Sequence, residues 1–118
     1  MLCPVCLKPL AQDEEFCCDA CEKSFKDIYE ANRKAVSTAV IPKDQDDEIQ
    51  YLAHEMRTLA MVFRYKHHDH ATANAIIRFT NTVPYYDTSR IKAWTDNAYE
   101  YHGRLEKALQ TRESKAAA

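Results

Sequence analysis

The sequence predicts a mainly α protein, with a cysteine-rich N-terminal finger docked on a small helical bundle. Three observations predict it. All five cysteines lie between Cys3 and Cys21, and none follows. The rest of the chain carries apolar residues at alternating spacings of three and four, the period of amphipathic helices. One glycine and four prolines in 118 residues disfavour a turn-rich β architecture. Apolar residues make up 46% and charged residues 29%, ordinary globular usage that leaves room for one domain with one modest core. No stretch approaches the roughly 20 apolar residues of a membrane span. No basic segment followed by an apolar run opens the chain, so the expectation is a cytoplasmic protein with reduced thiols and no membrane contact.

The cysteines come in two groups, Cys3-Pro4-Val5-Cys6 and Phe16-Cys17-Cys18-Asp19-Ala20-Cys21. Two close pairs about ten residues apart suit a tetrahedral zinc ion, which takes four sulfurs at about 2.3 Å. The competing reading is a pair of disulfides with one odd thiol, and it needs an oxidising compartment that nothing in the sequence indicates. Cys3 and Cys6 are one pair by spacing. The second is open: Cys17 with Cys21 makes C-x3-C, and Cys18 with Cys21 makes C-x2-C. A closed four-cysteine site is structural, because four thiolates leave neither a vacant position for water nor a base.

Phe-Cys-Cys-Asp-Ala-Cys resembles the Phe-Cys-Ser-x-x-Cys signature of short treble-clef zinc fingers. These include the small bacterial zinc proteins that inhibit DNA gyrase and related phage and archaeal zinc proteins. The resemblance covers residues 3–30. It implies a C-P-x-C knuckle, a short β-hairpin and a helix carrying the second cysteine pair. It also implies that Cys3, Cys6, Cys17 and Cys21 hold the metal, with Cys18 as the alternative to Cys17. Cys18 then takes the serine's place near the helix N-cap, a post cysteine fills poorly, so Asp19 is expected to share it. Leu7 stands where such knuckles usually carry glycine, and a left-handed turn there costs roughly 1 kcal/mol or more. The tryptophan and Arg-Pro residues that mark the gyrase inhibitors are missing. The implied activity is that of a phage or bacterial regulator which inhibits a host enzyme.

Residues 1–38 read as the finger with its helix, 39–45 as a short linker, 46–113 as the helical body and 114–118 as a frayed tail. Residues 7–16 are expected to form the hairpin, turned by Gln12-Asp13-Glu14-Glu15. The first helix is expected from Asp19 to Ser37, with a stripe of Cys21, Phe25, Ile28, Tyr29 and Val36 and a polar exception at Asn32. Phe25 and Ile28 are expected to cover the metal. Pro42 breaks this helix, since the residue before proline avoids the helical region. Asp46 and Asp47 open the second helix near its positive end. Its seam is Ile49, Leu52, Met56, Leu59 and Phe63, running to Lys66. His67-His68-Asp69-His70 interrupts it. A third helix spans Ala71 to Thr82, with Ile76, Ile77, Phe79 and Thr80 inward. Val83-Pro84-Tyr85-Tyr86 connects to a last helix capped by Thr88 or Ser89. That helix has the seam Ile91, Trp94, Ala98, Tyr101, Leu105 and Ala108, with Gly103 as a close contact or a weak point. The second and last helices are expected to pack antiparallel, the third alongside.

The net charge of −2 does not advertise nucleic-acid binding. Its distribution is uneven. Residues 1–21 set Lys8 against Asp13, Glu14, Glu15 and Asp19, and residues 57–92 set six cations against Asp69 and Asp87. The candidate partner surface is Arg64, Lys66, His67, His68 and His70 together with Tyr85 and Tyr86, because arginine and tyrosine are common interface anchors. The histidines also fit a solvated helix end, and adjacent histidines on a helix diverge too far to share an ion. The primary expectation is a non-catalytic adaptor that binds a partner protein. The alternative is a DNA- or RNA-binding accessory protein using the basic middle, although a sequence pI near 6.2 sits below the usual range. No nucleophile–base pair or phosphate loop stands out, so no enzymatic activity is expected. Oligomeric state is not legible.

Overall fold

Apolar seams that repeat every three to four residues must each find a partner, and three helices in this chain supply them to one another. The computed structural model describes residues 3–10 and 15–117, with Ala116 and Ala117 as backbone only. Four α-helices follow in order: α1 (Asp19–Ala35), α2 (Lys43–Met61), α3 (His70–Thr80) and α4 (Ile91–Ala117). Among the described residues there is no strand beyond a single bridge position at Pro9, so the expected β-hairpin over 7–16 is not shown by them. Gln12, Asp13 and Glu14, three of its four turn residues, lie outside the described residues.

α2 carries the core. Ile49, Leu52, Met56 and Phe63 are almost fully buried, and Leu59 is partly so. The helix begins at Lys43, three residues before the acidic pair expected to open it. Pro42 supplies the N-cap with φ −55° and its carbonyl accepts from the Asp46 N–H at 3.0 Å. Because proline lacks an N–H, it loses nothing by standing at a helix start. At its far end α2 widens into a π-helical turn over Val62–Lys66. The chain then reverses through His68, in the left-handed region at φ 54°, and the Asp69 N–H bonds back to Phe63 O at 2.8 Å. Asp69 caps α3 by accepting from the Thr72 N–H (3.0 Å) and the Thr72 hydroxyl (2.6 Å). On α3, Ile76, Phe79 and Thr80 face inward as expected, but Ile77 is 37% exposed. Ala73 and Ala75 are buried with them. α4 is entered through a 3-10 turn over Thr88–Arg90 that is capped by Asp87, not by Thr88 or Ser89: the carboxylate accepts from both the Ser89 N–H and the Ser89 hydroxyl. An aspartate two residues upstream outcompetes the hydroxyls as an acceptor.

The expected pairing of helices needs correction. Glu48 of α2 lies beside Tyr99 of α4. Lys66, just past α2, pairs with Glu113 of α4 at 3.0 Å, and the Arg112 guanidinium stacks over Phe63. Both sequence positions rise together, so α2 and α4 run parallel. The antiparallel neighbours are α2 with α3 and α3 with α4. Asp69 at the start of α3 pairs with Arg112, while Phe79 near its end stacks on Trp94 at 5.5 Å. The physical reason is the brevity of both connectors: each reverses the chain, and two reversals restore the original direction. On α4 the seam Ile91, Trp94, Ala98, Tyr101 and Leu105 is buried as expected, but Ala108 is exposed and Leu109 packs in its stead. Gly103 is no close contact, since a Cβ there would meet nothing within 4 Å.

The N-terminal segment docks on this bundle through few, specific anchors. Asn32, the expected polar exception, is the one buried residue of α1. Its amide donates to Val83 O and accepts from the Tyr86 N–H at 3.2 Å, which ties α1 to the α3–α4 connector. Tyr29 and Val36, expected on the inner stripe, are about half exposed at 50% and 54%. Leu7 enters the main core, and Arg104 of α4 donates to its carbonyl at 3.0 Å. Arg78 of α3 lies over the Phe16 ring and pairs with Glu15 at 3.1 Å, while Phe16 packs on Phe25.

Candidate metal centre

The turn that carries Cys3 and Cys6 closes on itself. The Leu7 N–H bonds to Cys3 O at 3.0 Å and the Cys3 N–H to Lys8 O at 2.9 Å. Leu7 takes the left-handed conformation, φ 62°, that glycine usually fills. A branched residue there costs roughly 1 kcal/mol or more. Leu7 is only 8% exposed, and burying a leucine returns roughly 1.5–3 kcal/mol, so the side chain outweighs the backbone strain. Cys3 and Pro4 are themselves fully buried.

The second pair stands at the start of α1. Cys17 precedes the helix and Cys21 lies in its first turn. Four sulfurs converge, those of Cys3, Cys6, Cys17 and Cys21, all within 4.8 Å of one another. Cys17 Sγ is 3.2 Å from Cys6 Sγ and 3.3 Å from Cys21 Sγ. A tetrahedron with 2.3 Å metal–sulfur bonds has edges of about 3.8 Å, which falls inside this spread. Cys18 stays outside the group: it is exposed, makes no side-chain capping bond, and its Sγ lies 3.8 Å from that of Cys17.

Protonation within the group is uneven. At Cys3, burial opposes ionisation, but hydrogen bonding from the backbone of Cys6, Cys17 and Val5 outweighs it and holds the thiol near 7. Cys17 is pushed far up, first by its contact with the Cys6 sulfur and then by that with Cys21. For Cys21 the Cys17 contact works downward, but burial, the Cys18 and Cys6 sulfurs and the charge on Cys3 together push it up to about 12. A divalent metal at the centre of the group would supply the positive charge that lets four neighbouring thiolates coexist. The N-terminal end of α1, with its positive dipole, favours the same ionised state.

Beneath the group lies Tyr101, fully buried, with a hydroxyl that has no partner among the described residues. Burial, and next the negative charge of Cys3, raise its phenol above the usual range. Sequence reading placed Tyr101 in the seam of α4 with no hint that it borders the cysteines, because only the fold brings residues 3 and 101 together. Of the residues expected to cover the metal, Phe25 packs on Phe16 next to Cys17, and Ile28 lines a cleft with Pro4 and Val5 of the cysteine turn and with Trp94.

The candidate partner residues are not gathered on one surface. Arg64, half-buried, donates to Asn74 Oδ1 at 2.7 Å and meets His70 Nδ1 at 3.3 Å. Lys66 is held by Glu113. His68 is exposed, whereas His67 packs on Phe63 at 6.3 Å with its Nε2 buried and unpartnered among the described residues. These residues sit at the α2–α3 turn. Tyr85 and Tyr86 sit at the opposite end of α3, whose 11 residues span about 16 Å. Both tyrosines are half-buried; Tyr85 packs on the core and Tyr86 supplies the N–H that Asn32 accepts. Comparison with known protein families, with curated proteins and with solved structures finds no match for this chain.

Proposed function

We propose that the chain is a small zinc-binding module in which Cys3, Cys6, Cys17 and Cys21 hold one structural Zn2+ and the helical body serves recognition of a partner protein. The observation that carries the proposal is the convergence of four sulfurs, drawn from two sequence segments, within 4.8 Å. All-sulfur donors favour zinc among common divalent ions, and a closed set of four leaves no position for a reacting water, so the metal's role is architectural. It fastens the start of α1 to the knuckle whose Leu7 enters the main core. A C-P-x-C turn followed by a helix with the second pair at its start supports a treble-clef reading of this segment. A cytoplasmic setting belongs to this reading, because the thiols must stay reduced.

A protein partner is favoured over nucleic acid by the state of the cations. Lys66, Arg78, Arg90 and Lys92 are each paired with a carboxylate within 4 Å. Phosphate binding would have to break these pairs. Several large aromatic or apolar side chains are also exposed: Tyr51, Met61 and Tyr65 on the α2 segment and Tyr99 on α4. Such residues are typical of protein interfaces. Elemental analysis of the reduced protein tests the metal, with one zinc per chain expected. Titrating salt against binding to random duplex DNA tests the alternative, since phosphate contacts weaken binding linearly in log–log salt.

A further inference from the structure

Five thiols crowd a site that needs four. The fifth, Cys18, is exposed at the N-cap of α1, and neither the metal group nor helix capping uses it. Its nearest sulfur is that of Cys17, at 3.8 Å. A bond between these two neighbours is disfavoured, because adjacent Cα atoms stand only about 3.8 Å apart while disulfides need about 4.4–6.8 Å. Cys21 is better placed. The Glu22 N–H already bonds to Cys18 O, so the chain from Cys18 follows the first helical turn. Three residues along such a turn, Cα atoms lie about 5 Å apart, inside the disulfide span.

We propose that Cys18 is an oxidation site whose reaction with a peroxide removes Cys21 from the metal group and releases the zinc. The proposal rests on the zinc reading above. In the first step the Cys18 sulfur attacks one peroxide oxygen. The O–O bond breaks, Cys18 becomes a sulfenic acid, and the second oxygen leaves as water or an alcohol. In the second step the Cys21 sulfur attacks the Cys18 sulfur. The S–O bond breaks, the oxygen leaves as water with a proton drawn from solvent, and the Cys18–Cys21 disulfide forms. The two sulfurs lose two electrons and the peroxide gains them. Cys3, Cys6 and Cys17 remain, one ligand short of the closed tetrahedral set. Cys18 and Cys6 are the two exposed thiols, and only Cys18 stands outside the metal group, so Cys18 is the accessible sulfur left free to react.

The experiment treats the zinc-loaded full chain with hydrogen peroxide and follows zinc with a colorimetric chelator, then maps the bridged peptides by mass spectrometry. The native chain is expected to release its zinc and to yield a Cys18–Cys21 bridge, seen as a loss of two hydrogens. Cys18→Ser is expected to hold the same zinc before treatment and to release it severalfold more slowly. Equal release rates for the two proteins, or a first bridge between Cys3 and Cys6, overturn the proposal. Absence of zinc before treatment sinks the zinc reading alone; the order of bridge formation then still decides whether Cys18 is the entry point.

Discussion

Removing the Asn32 amide is the sharpest test of how the finger is held to the body. Asn32→Ala deletes two hydrogen bonds that cross from α1 to the α3–α4 connector. They are not equivalent. Val83 O also accepts from the Tyr85 N–H at 2.9 Å, so it keeps a partner, and its share is about 1 kcal/mol. The Tyr86 N–H has no other acceptor among the described residues, and leaving it orphaned in a half-buried position costs about 1–3 kcal/mol. The sum is about 2–4 kcal/mol. For a chain of this size each kcal/mol moves the melting temperature by roughly 4 °C, so a drop of roughly 10 °C is expected in thermal unfolding followed by far-ultraviolet circular dichroism. Asn32→Asp should do no better, because a carboxylate oxygen would then face Val83 O where a donor stood. An unchanged melting temperature in Asn32→Ala would refute the reasoning and leave α1 tethered by the cysteines and Phe16 alone.

Cys17→Ser should weaken zinc binding far more than Cys18→Ser, read by competition with a chromogenic chelator; the reverse order would hand the second pair to Cys18 and Cys21. Leu7→Gly should lower the unfolding midpoint in urea despite relieving a left-handed leucine, because the buried side chain is worth more than the roughly 1 kcal/mol of strain; a stabilised variant would contradict this. Gly103→Ala should raise stability by about 0.5–1 kcal/mol, since the new methyl meets nothing and the helix gains propensity. Asp69 is opposed by burial but held below the usual carboxylate range by Thr72 and Arg112. Its contribution is therefore present above the unfolded value of about 3.9 and is lost as pH falls further. Asp69→Asn should flatten that acid-side fall in a pH series of unfolding midpoints.

Much of the helical body was legible because its seams are local. Ile49, Leu52, Met56 and Phe63 announce α2 by spacing, and Ile91, Trp94, Ala98, Tyr101 and Leu105 announce α4. The cysteine group was legible for the same reason, as spacing alone narrowed four ligands to two choices. What stayed hidden depends on residues far apart in sequence. The parallel course of α2 and α4 follows from two tight reversals, not from the matching seams that suggested an antiparallel pair. Asn32 reads as a flaw in an apolar stripe until Val83 and Tyr86 stand beside it. Tyr85 and Tyr86 look like a companion to Arg64 and His70 until α3 is seen to separate them. Asp87 was passed over for Thr88 and Ser89, because carboxylate capping from two residues upstream leaves no periodic mark.

The most direct test of the central claim is X-ray absorption at the zinc edge, combined with metal analysis, on the reduced 118-residue chain. One zinc per chain with a shell of four sulfurs at about 2.3 Å is expected. A chain that takes up no zinc after reduction and reconstitution would contradict it, and so would a shell containing nitrogen or oxygen in place of one or more sulfurs.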